Sequence, residues 1–383
     1  MDNCKIDSIA TSIIDLPLRR LQRFSVLGTR SQSIVLIRIV SNSGIEGIGE
    51  SVTPSGPWWG GESVETIKTI IDQYLAPCVI GENAFDLQKI MGRMDSVVHA
   101  NPFAKAGVEM ALLDIVGKSL NQPVYNLLGG KLRNSLPVSW PLATGDAEAE
   151  IEEAQRMLAG GFCQSFKLKM GALDPEKDVA RAVTIAQALD GRARVRVDPN
   201  EMWDETTTKR LLPQLEDAGI ELIEQPMPRW NLAASARLTG LATSSQIMLD
   251  EGVCTLRDML EIIRLRAAGL ISIKIMKMGG IRASKTIAQV AEASGVSVYM
   301  GTFLESSLGT AANMQLCATF GNLPYGGELI GPLLIAEDIC QQAAQYENGE
   351  LKLTTGPGLG VKLDEDKVRA LLRDNSYSSQ SAA

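Results

Sequence analysis

A repeat constrains this chain more than any other feature. From residue 136 a short apolar stretch is followed by an amphipathic one, and the pair recurs to residue 330. Strands are predicted at 136–143, 165–170, 194–198, 220–225, 246–250, 270–276, 297–303 and 327–330. Their starts lie 24–30 residues apart, the length of one strand–helix unit. Eight such strands with seven helical patterns between them predict an α/β fold with a closed parallel barrel. A doubly wound sheet would need a glycine-rich nucleotide turn after its first strand, and residues 142–146 (LATGD) do not supply one.

The sequence before the repeat reads as α+β. Strands are predicted at 6–16, 33–40 and 45–49, with Ser43-Gly44 as a turn, and helices at 64–75, 85–98 and 103–120. In the last of these, Val108, Leu112, Ile115 and Leu120 recur near the helical period. This divides the 383 residues into 1–130, a barrel at 131–335, and a segment at 336–383 that ends in a frayed polar tail from 376.

Composition narrows the chemistry. His99 is the sole histidine, so a Ser-His-Asp or Cys-His triad would have to use it, and two- or three-histidine metal sites are excluded within one chain. Any proton shuttle near neutral pH then falls to lysines or carboxylates. A formal charge of −8 with no basic run argues against nucleic acid as partner. The longest apolar runs are far too short to span a membrane, and the N-terminus has no signal-peptide core. Cys4, Cys78, Cys163, Cys254, Cys317 and Cys340 are scattered, which predicts reduced thiols in a cytoplasmic protein.

In such a barrel, reactive groups stand at the C-terminal strand ends. The second strand ends Lys167-Leu168-Lys169, with both lysines on one face. The third ends Asp198-Pro199-Asn200, the fourth Glu224-Gln225-Pro226 and the fifth Asp250-Glu251-Gly252. The sixth carries Lys274 and the eighth Glu328. Three successive strands thus present Asp198, Glu224 and Asp250 to one mouth, where like charges repel unless a cation joins them. An all-oxygen set suits Mg²⁺ or Mn²⁺. A lysine beside such a cation and a second lysine is expected to have a lowered pKa, making it a usable base. Lysines on either side of a bound carboxylate could move a proton at its α-carbon while the cation stabilises the enediolate. A single strand-end charge is ordinarily a salt bridge or a cap, but six at matching ends of consecutive strands are hard to obtain that way.

Other residues are read more modestly. Asn200 and Glu251 are placed behind the ligands, and Arg196 is read as a neutraliser of Asp198. Glu305 either lines the pocket or caps the next helix. Residues 279–286 (GGIRASKT) approach a phosphate loop, but Ser284 stands where its second glycine belongs. Residues 305–309 (ESSLG) lack the first glycine of a nucleophile elbow, and no histidine follows. His99 lies on the helical stretch before the barrel and is read as packed or partly exposed.

At these residues the chain resembles the enolase superfamily, in its muconate lactonizing subgroup. The likeness runs through FKLKMG at 166–171, RVDPNEMWDE at 196–205, IEQP at 223–226 and MLDE at 248–251. It continues through IKIMKMGG at 273–280, GTFLESSLGT at 301–310 and GELIGPLL at 327–334. The resemblance implies a modified (β/α)₇β TIM-like barrel under an α+β N-terminal capping domain that the C-terminal segment completes. It implies Mg²⁺ or Mn²⁺ on Asp198, Glu224 and Asp250, with Lys169 as general acid/base and Lys167 as its electrostatic partner. Lys274 matches the group on the opposite face, and Glu328 the eighth-strand glutamate.

Lactonization of cis,cis-muconate or a chlorinated muconate, in aromatic catabolism, is the implied reaction. A homo-oligomer, commonly an octamer, is the implied assembly. Pro199 and Gly252 depart from the valine and serine usual there. The Glu305 and Ser306-Ser307 segment mixes muconate and chloromuconate patterns.

Racemases of N-acylamino acids, dipeptide epimerases and o-succinylbenzoate synthases share the lysines and form the alternative on the same scaffold; a non-catalytic binding barrel is the other. Residues 326–331 (GGELIG) lack the Asp-x-Asp typical of dipeptide epimerases. Specificity is expected from the cap loops at 24–30 and 54–62, with Trp58 and Trp59 closing over a small dicarboxylate or packing the cap. The superfamily's mandelate racemase branch carries a seventh-strand histidine. Here Glu305 stands there and Lys274 holds the sixth strand, which assigns the chain to the lysine–lysine branch.

Overall fold

The computed structural model describes residues 4–23 and 26–373. The tail from 376, and residues 24 and 25 of the first cap loop, lie outside the described residues.

Three antiparallel strands open the fold: β1 (Ile6–Arg23), β2 (Gly28–Ser41) and β3 (Glu46–Val52), in that order in one sheet. The first two are longer than the sequence pattern suggests. Their alternation is only half apolar, but they pair along nearly their whole length. Ser43-Gly44 makes the expected turn, with Gly44 at φ 77°.

The helix Pro102–Ser119 lies on this sheet. Its predicted stripe is only part of its burial, because every residue from Phe103 to Gly117 is buried. Such a helix has no solvent face; it is sandwiched between the cap sheet and the barrel. Glycines set the approach: a Cβ on Gly47 would stand 2.2 Å from the Ala111 carbonyl, and one on Gly49 2.2 Å from that of Gly107. His99 is exposed in a bend just past the helix Leu87–Val97, not on the helix itself.

The repeat builds the barrel. β4 (Ser135–Pro137) leads into β5 (Ser139–Leu142), followed by β6 (Ser165–Lys169), β7 (Arg194–Asp198), β8 (Leu222–Glu224), β9 (Gln246–Leu249), β10 (Leu270–Ile273) and β11 (Ser297–Met300). β5 to β11 form one parallel sheet in sequence order, with helices between them.

Two predictions need correction. The stretch 136–143 is two strands, since β4 leaves the barrel to pair with β13 (Glu350–Lys352), which in turn pairs with β12 (Tyr346–Glu347). The eighth strand, expected over 327–330, is reduced to Gly327, which bridges Val138 on one side and Met300 on the other. Its short span follows from its surroundings. Gly326 has φ 68°, a Cβ on Gly327 would stand 2.6 Å from the Met300 carbonyl, and a helix begins at Gly331-Pro332. One residue is enough to close the ring: Ser139 N–H donates to the Gly327 carbonyl (2.8 Å) and Glu328 N–H to that of Met300 (2.7 Å).

The C-terminal segment returns to the cap. Arg373 holds both oxygens of Asp15 at 2.6 and 2.8 Å. Buried Asp114 accepts from Ile48 N, Leu359 N and Lys118 Nζ, tying sheet, helix and C-terminal segment together. The six cysteines are free thiols, all buried except the half-buried Cys254. Among the described residues no helix is long and apolar enough to cross a membrane.

Cap and barrel meet at Glu50, a fully buried β3 residue. It accepts from Ser306 N (2.9 Å), Gly309 N (3.1 Å) and the Ser306 hydroxyl, at the start of the helix Ser307–Cys317. Burial, reinforced by the charge of neighbouring Glu305, raises its pKa to about 8 from an ordinary 4.5. A carboxyl raised on folding favours the folded state most below its unfolded pKa and loses that contribution as pH climbs to the folded value. Stability should therefore fall from about pH 5 to pH 8, and Glu50→Gln should flatten that fall in urea unfolding. A variant that falls as steeply as the parent would place the titration elsewhere.

Candidate active site

The site lies at the C-terminal mouth of the barrel, where strand alternation points every second side chain inward. Lys167 and Lys169 leave β6 on one face. Buried Lys167 Nζ lies 2.5 Å from Glu328, 2.8 Å from Glu224 and 3.5 Å from Asp198. Lys169, the more exposed of the two, lies 2.5 Å from Asp198 and 3.4 Å from the Asn200 amide oxygen. Lys274 follows the end of β10 and holds Asp250 Oδ2 at 2.5 Å. Asn200 and Glu251 meet behind them at 3.2 Å.

The loop turns after the strands have left-handed residues: Asn200 at φ 46°, Glu201 at 68° and Gln225 at 33°. Gln225 lies just past β8, which ends one residue earlier than the predicted 220–225. Its amide oxygen accepts from Asp250 N and Gly252 N, so it fixes the neighbouring loop.

Sequence reasoning passed over Lys277. It is buried, bonds Asp250 Oδ1 at 2.8 Å and the Asp250 carbonyl at 2.6 Å, and so grips the side of Asp250 away from Lys274. Its signal was the second lysine of IKIMKMGG, three residues past Lys274. Arg196 is a correction. It does point inward beneath Asp198, but its guanidinium bonds Glu221 at 2.7 Å and lies 5.3 Å from the Tyr299 ring. Glu221 is one residue before β8, on the lower side of the barrel, and its charge draws the long Arg196 side chain away from Asp198.

Electrostatics follow from burial and crowding. Burial pushes Glu224 up to about 8, and the charge of Asp198 adds to it. Burial and the charge of Asp250 bring Glu251 to about 7. Asp198 and Asp250 are driven the other way: burial opposes their charge, but Lys169 and Lys167 for the one, and Lys274 and Lys277 for the other, overcome it. The expected lowering of the lysines is not what the protein groups alone produce. Burial lowers Lys167 and Lys274, but the surrounding carboxylates raise both well above the usual lysine value.

Among the described residues no three acidic side chains are drawn together as a ready metal cage; the ammonium groups stand between them. The donor chemistry of Asp198, Glu224 and Asp250 nevertheless fits a hard divalent cation. It is oxygen only and comes from the ends of three adjacent strands.

A cavity opens onto these groups. Lys167, Lys169, Asn200, Lys274 and Glu328 line it from the barrel, and Gln22, Pro54, Trp58 and Trp59 from the cap. Trp59 packs edge-on against Phe303 (4.7 Å), and Lys274 Nζ lies over both rings, 5.1 and 4.6 Å from their centroids. Glu305 neither lines this cavity nor caps the helix, whose cap is Ser306. Buried Glu305 accepts from the Thr302 hydroxyl (2.5 Å) and Phe303 N (3.1 Å), holding the loop that carries the cavity wall. At residues 279–286 the place a phosphate would take is filled by Glu109, which accepts from Arg282 N at 3.2 Å.

Known proteins resemble this chain over nearly its whole length. Residues 9–129 match the family described as "Mandelate racemase / muconate lactonizing enzyme, N-terminal domain", and residues 149–367 that described as "Enolase C-terminal domain-like". A chloromuconate cycloisomerase of Cupriavidus pinatubonensis is 56% identical over 364 residues, 95% of this chain and 98% of that protein. Muconate cycloisomerase 1 of Rhodococcus opacus is 41% identical over 374 residues, 98% of this chain and 100% of that protein. The crystal structure of muconate lactonizing enzyme from Pseudomonas fluorescens, complexed with muconolactone, superposes with a TM-score of 0.95 at 42% identity, covering 97% of this chain and 100% of that one. With both halves of the chain matched, this chain belongs to the mandelate racemase/muconate lactonizing enzyme family of the enolase superfamily.

Proposed function

We propose that this protein is a cycloisomerase that closes cis,cis-muconate, or a chlorinated muconate, to its lactone. The observation that carries the reading is the pair of lysines, Lys169 and Lys274, that line one cavity from different sides with carboxylates beside each. The names of the similar proteins agree with it.

Mg²⁺ or Mn²⁺ is the proposed cofactor, with Asp198, Glu224 and Asp250 as its holders. When bound, the cation supplies positive charge for the substrate carboxylate that receives electrons. Asp250 is held on both oxygens by Lys274 and Lys277.

The chain's own residues do the rest. Trp58, Trp59 and Phe303 enclose a small planar diene and exclude water. The oxygen of one carboxylate attacks the far end of the conjugated diene, forming the ring C–O bond, while electrons move toward the other carboxylate. Lys169 then gives its proton to the carbon next to that carboxylate. A dianion becomes a monoanion, so each turnover takes up one proton, which returns to Lys169 from solvent. Lys167 adds positive charge beside it, oriented by Glu224 and Glu328. Lys274, set against two aromatic faces, supplies positive charge from the other side.

Loss of muconate absorbance on adding purified protein and Mg²⁺ tests the assignment, and a chelator should abolish it. Racemization of N-acylamino acids or dipeptides without loss of muconate would reassign the substrate. Lys169→Ala should lower lactonization about a thousandfold while keeping divalent-ion affinity; unchanged turnover would remove the proton from Lys169. The same proposal makes the chain a cytoplasmic homo-oligomer, octameric by resemblance. Light scattering checks this, and a monomer's mass would overturn it.

A further inference from the structure

Below the cavity, the barrel interior holds four polar atoms that the protein does not satisfy. They are Ser139 Oγ, Arg196 Nη1, Ser272 Oγ and Tyr299 Oη. Their residues are at most 1% exposed, and they come from four strands, β5, β7, β10 and β11.

Strand alternation puts all four on the inner face. Ser139 shares its face with Pro141, Arg196 with Asp198, Ser272 with Lys274, and Tyr299 with Gly301. Pro141 and Lys274 line the cavity, and a Cβ on Gly301 would meet Ser272 Oγ and the Lys274 chain.

A barrel of this kind is ordinarily filled by branched apolar side chains. Here Leu222, Met248 and Leu270 pack with Tyr299, but serines stand where a further apolar layer belongs. Arg196 and Tyr299 lie side by side, ring to guanidinium 5.3 Å, close enough for the hydroxyl to act on the guanidinium but with Nη1 and Oη each lacking a well-aligned partner. On the neighbouring segment Glu328 holds Lys167 at 2.5 Å. Glu328 also bonds the Met300 carbonyl, the residue after Tyr299. Buried donors and acceptors left without protein partners are ordinarily met by water.

We infer that the barrel interior holds ordered water bonded by Ser139, Arg196, Ser272 and Tyr299, and that through it the Tyr299 hydroxyl positions Glu328 and with it the Lys167 ammonium. The water stands on the barrel's geometry alone; the role of Tyr299 as a positioning residue rests on the proposed reaction.

Tyr299→Phe keeps the ring and removes the hydroxyl. The expected result is a kcat for muconate about tenfold lower, an unchanged KM and an unchanged thermal midpoint. A high-resolution diffraction map of the parent should show water within hydrogen-bond reach of Tyr299 Oη. Parent kinetics in the folded variant overturn the positioning role, and a dry interior in the parent map overturns the whole inference. If Tyr299→Phe fails to fold, Ser272→Ala removes a neighbouring water partner and carries the same kinetic comparison. A parent without activity on muconate refutes the proposed reaction instead, and its map still decides the water.

Discussion

Five carboxylates and four ammonium groups share one buried mouth, and the surrounding architecture works to keep them there. Asp198, Glu224, Asp250, Glu251 and Glu328 are all nearly inaccessible, as are Lys167, Lys274 and Lys277. Taking such charges from water costs several kcal/mol each unless geometry returns it through close pairing. Flexible loops could not hold distances of 2.5–2.8 Å among so many groups. Short parallel strands in fixed register can. Each carries one or two charges at its end, and the neighbouring strand sets the spacing. Lys277 belongs to this economy of charge: without it Asp250 would face its neighbours with one ammonium instead of two.

The same logic, applied to backbone dipoles, docks the cap. Three buried glutamates sit at helix N-termini, where unpaired N–H groups and the helix dipole favour a carboxylate. Glu50 reaches from β3 to the helix Ser307–Cys317. Glu109 reaches from the cap helix to Arg282 N in the first turn of the helix Ile281–Ala293. Glu62 accepts from Phe103 and Ala104 at the start of the cap helix itself. Burial raises Glu62 and Glu109 to about 7 and Glu50 to about 8. Cap and barrel are thus joined by contacts that weaken neither core, and the cap's Gln22, Trp58 and Trp59 are delivered to the cavity as its roof.

The repeat made the barrel legible because each strand end coincides with a charged residue and each helix keeps its period. What the repeat could not show was the difference between an apolar stretch and a paired one. Gly327 completes the ring with a single residue, and β4 turns away to a partner more than two hundred residues on. Arg196 shares a face with Asp198, which alternation reveals, but its partner is set by the reach of a long side chain toward Glu221. Lys277 lies past a strand, where period-2 reasoning stops. Nothing local to Glu50 or Glu109 marks the helix N-terminus that each meets across the interface. Contacts made along an element were readable; contacts made between distant elements were not.

Charge balance also bears on how the proposed reaction would turn over. A divalent cation and a dicarboxylate together add no net charge to the mouth, whereas either alone leaves two charges uncompensated in a medium where that is expensive. Each should therefore favour binding of the other, by the reciprocity that links any two ligands. In the proposed reaction the substrate would lose one of its two negative charges, since the proton leaving Lys169 for carbon is restored from solvent. A monoanion is held less strongly than a dianion by the same cation and lysines, so the lactone would give way to fresh substrate. That preference is set by the groups at the mouth and not by the overall charge of −8.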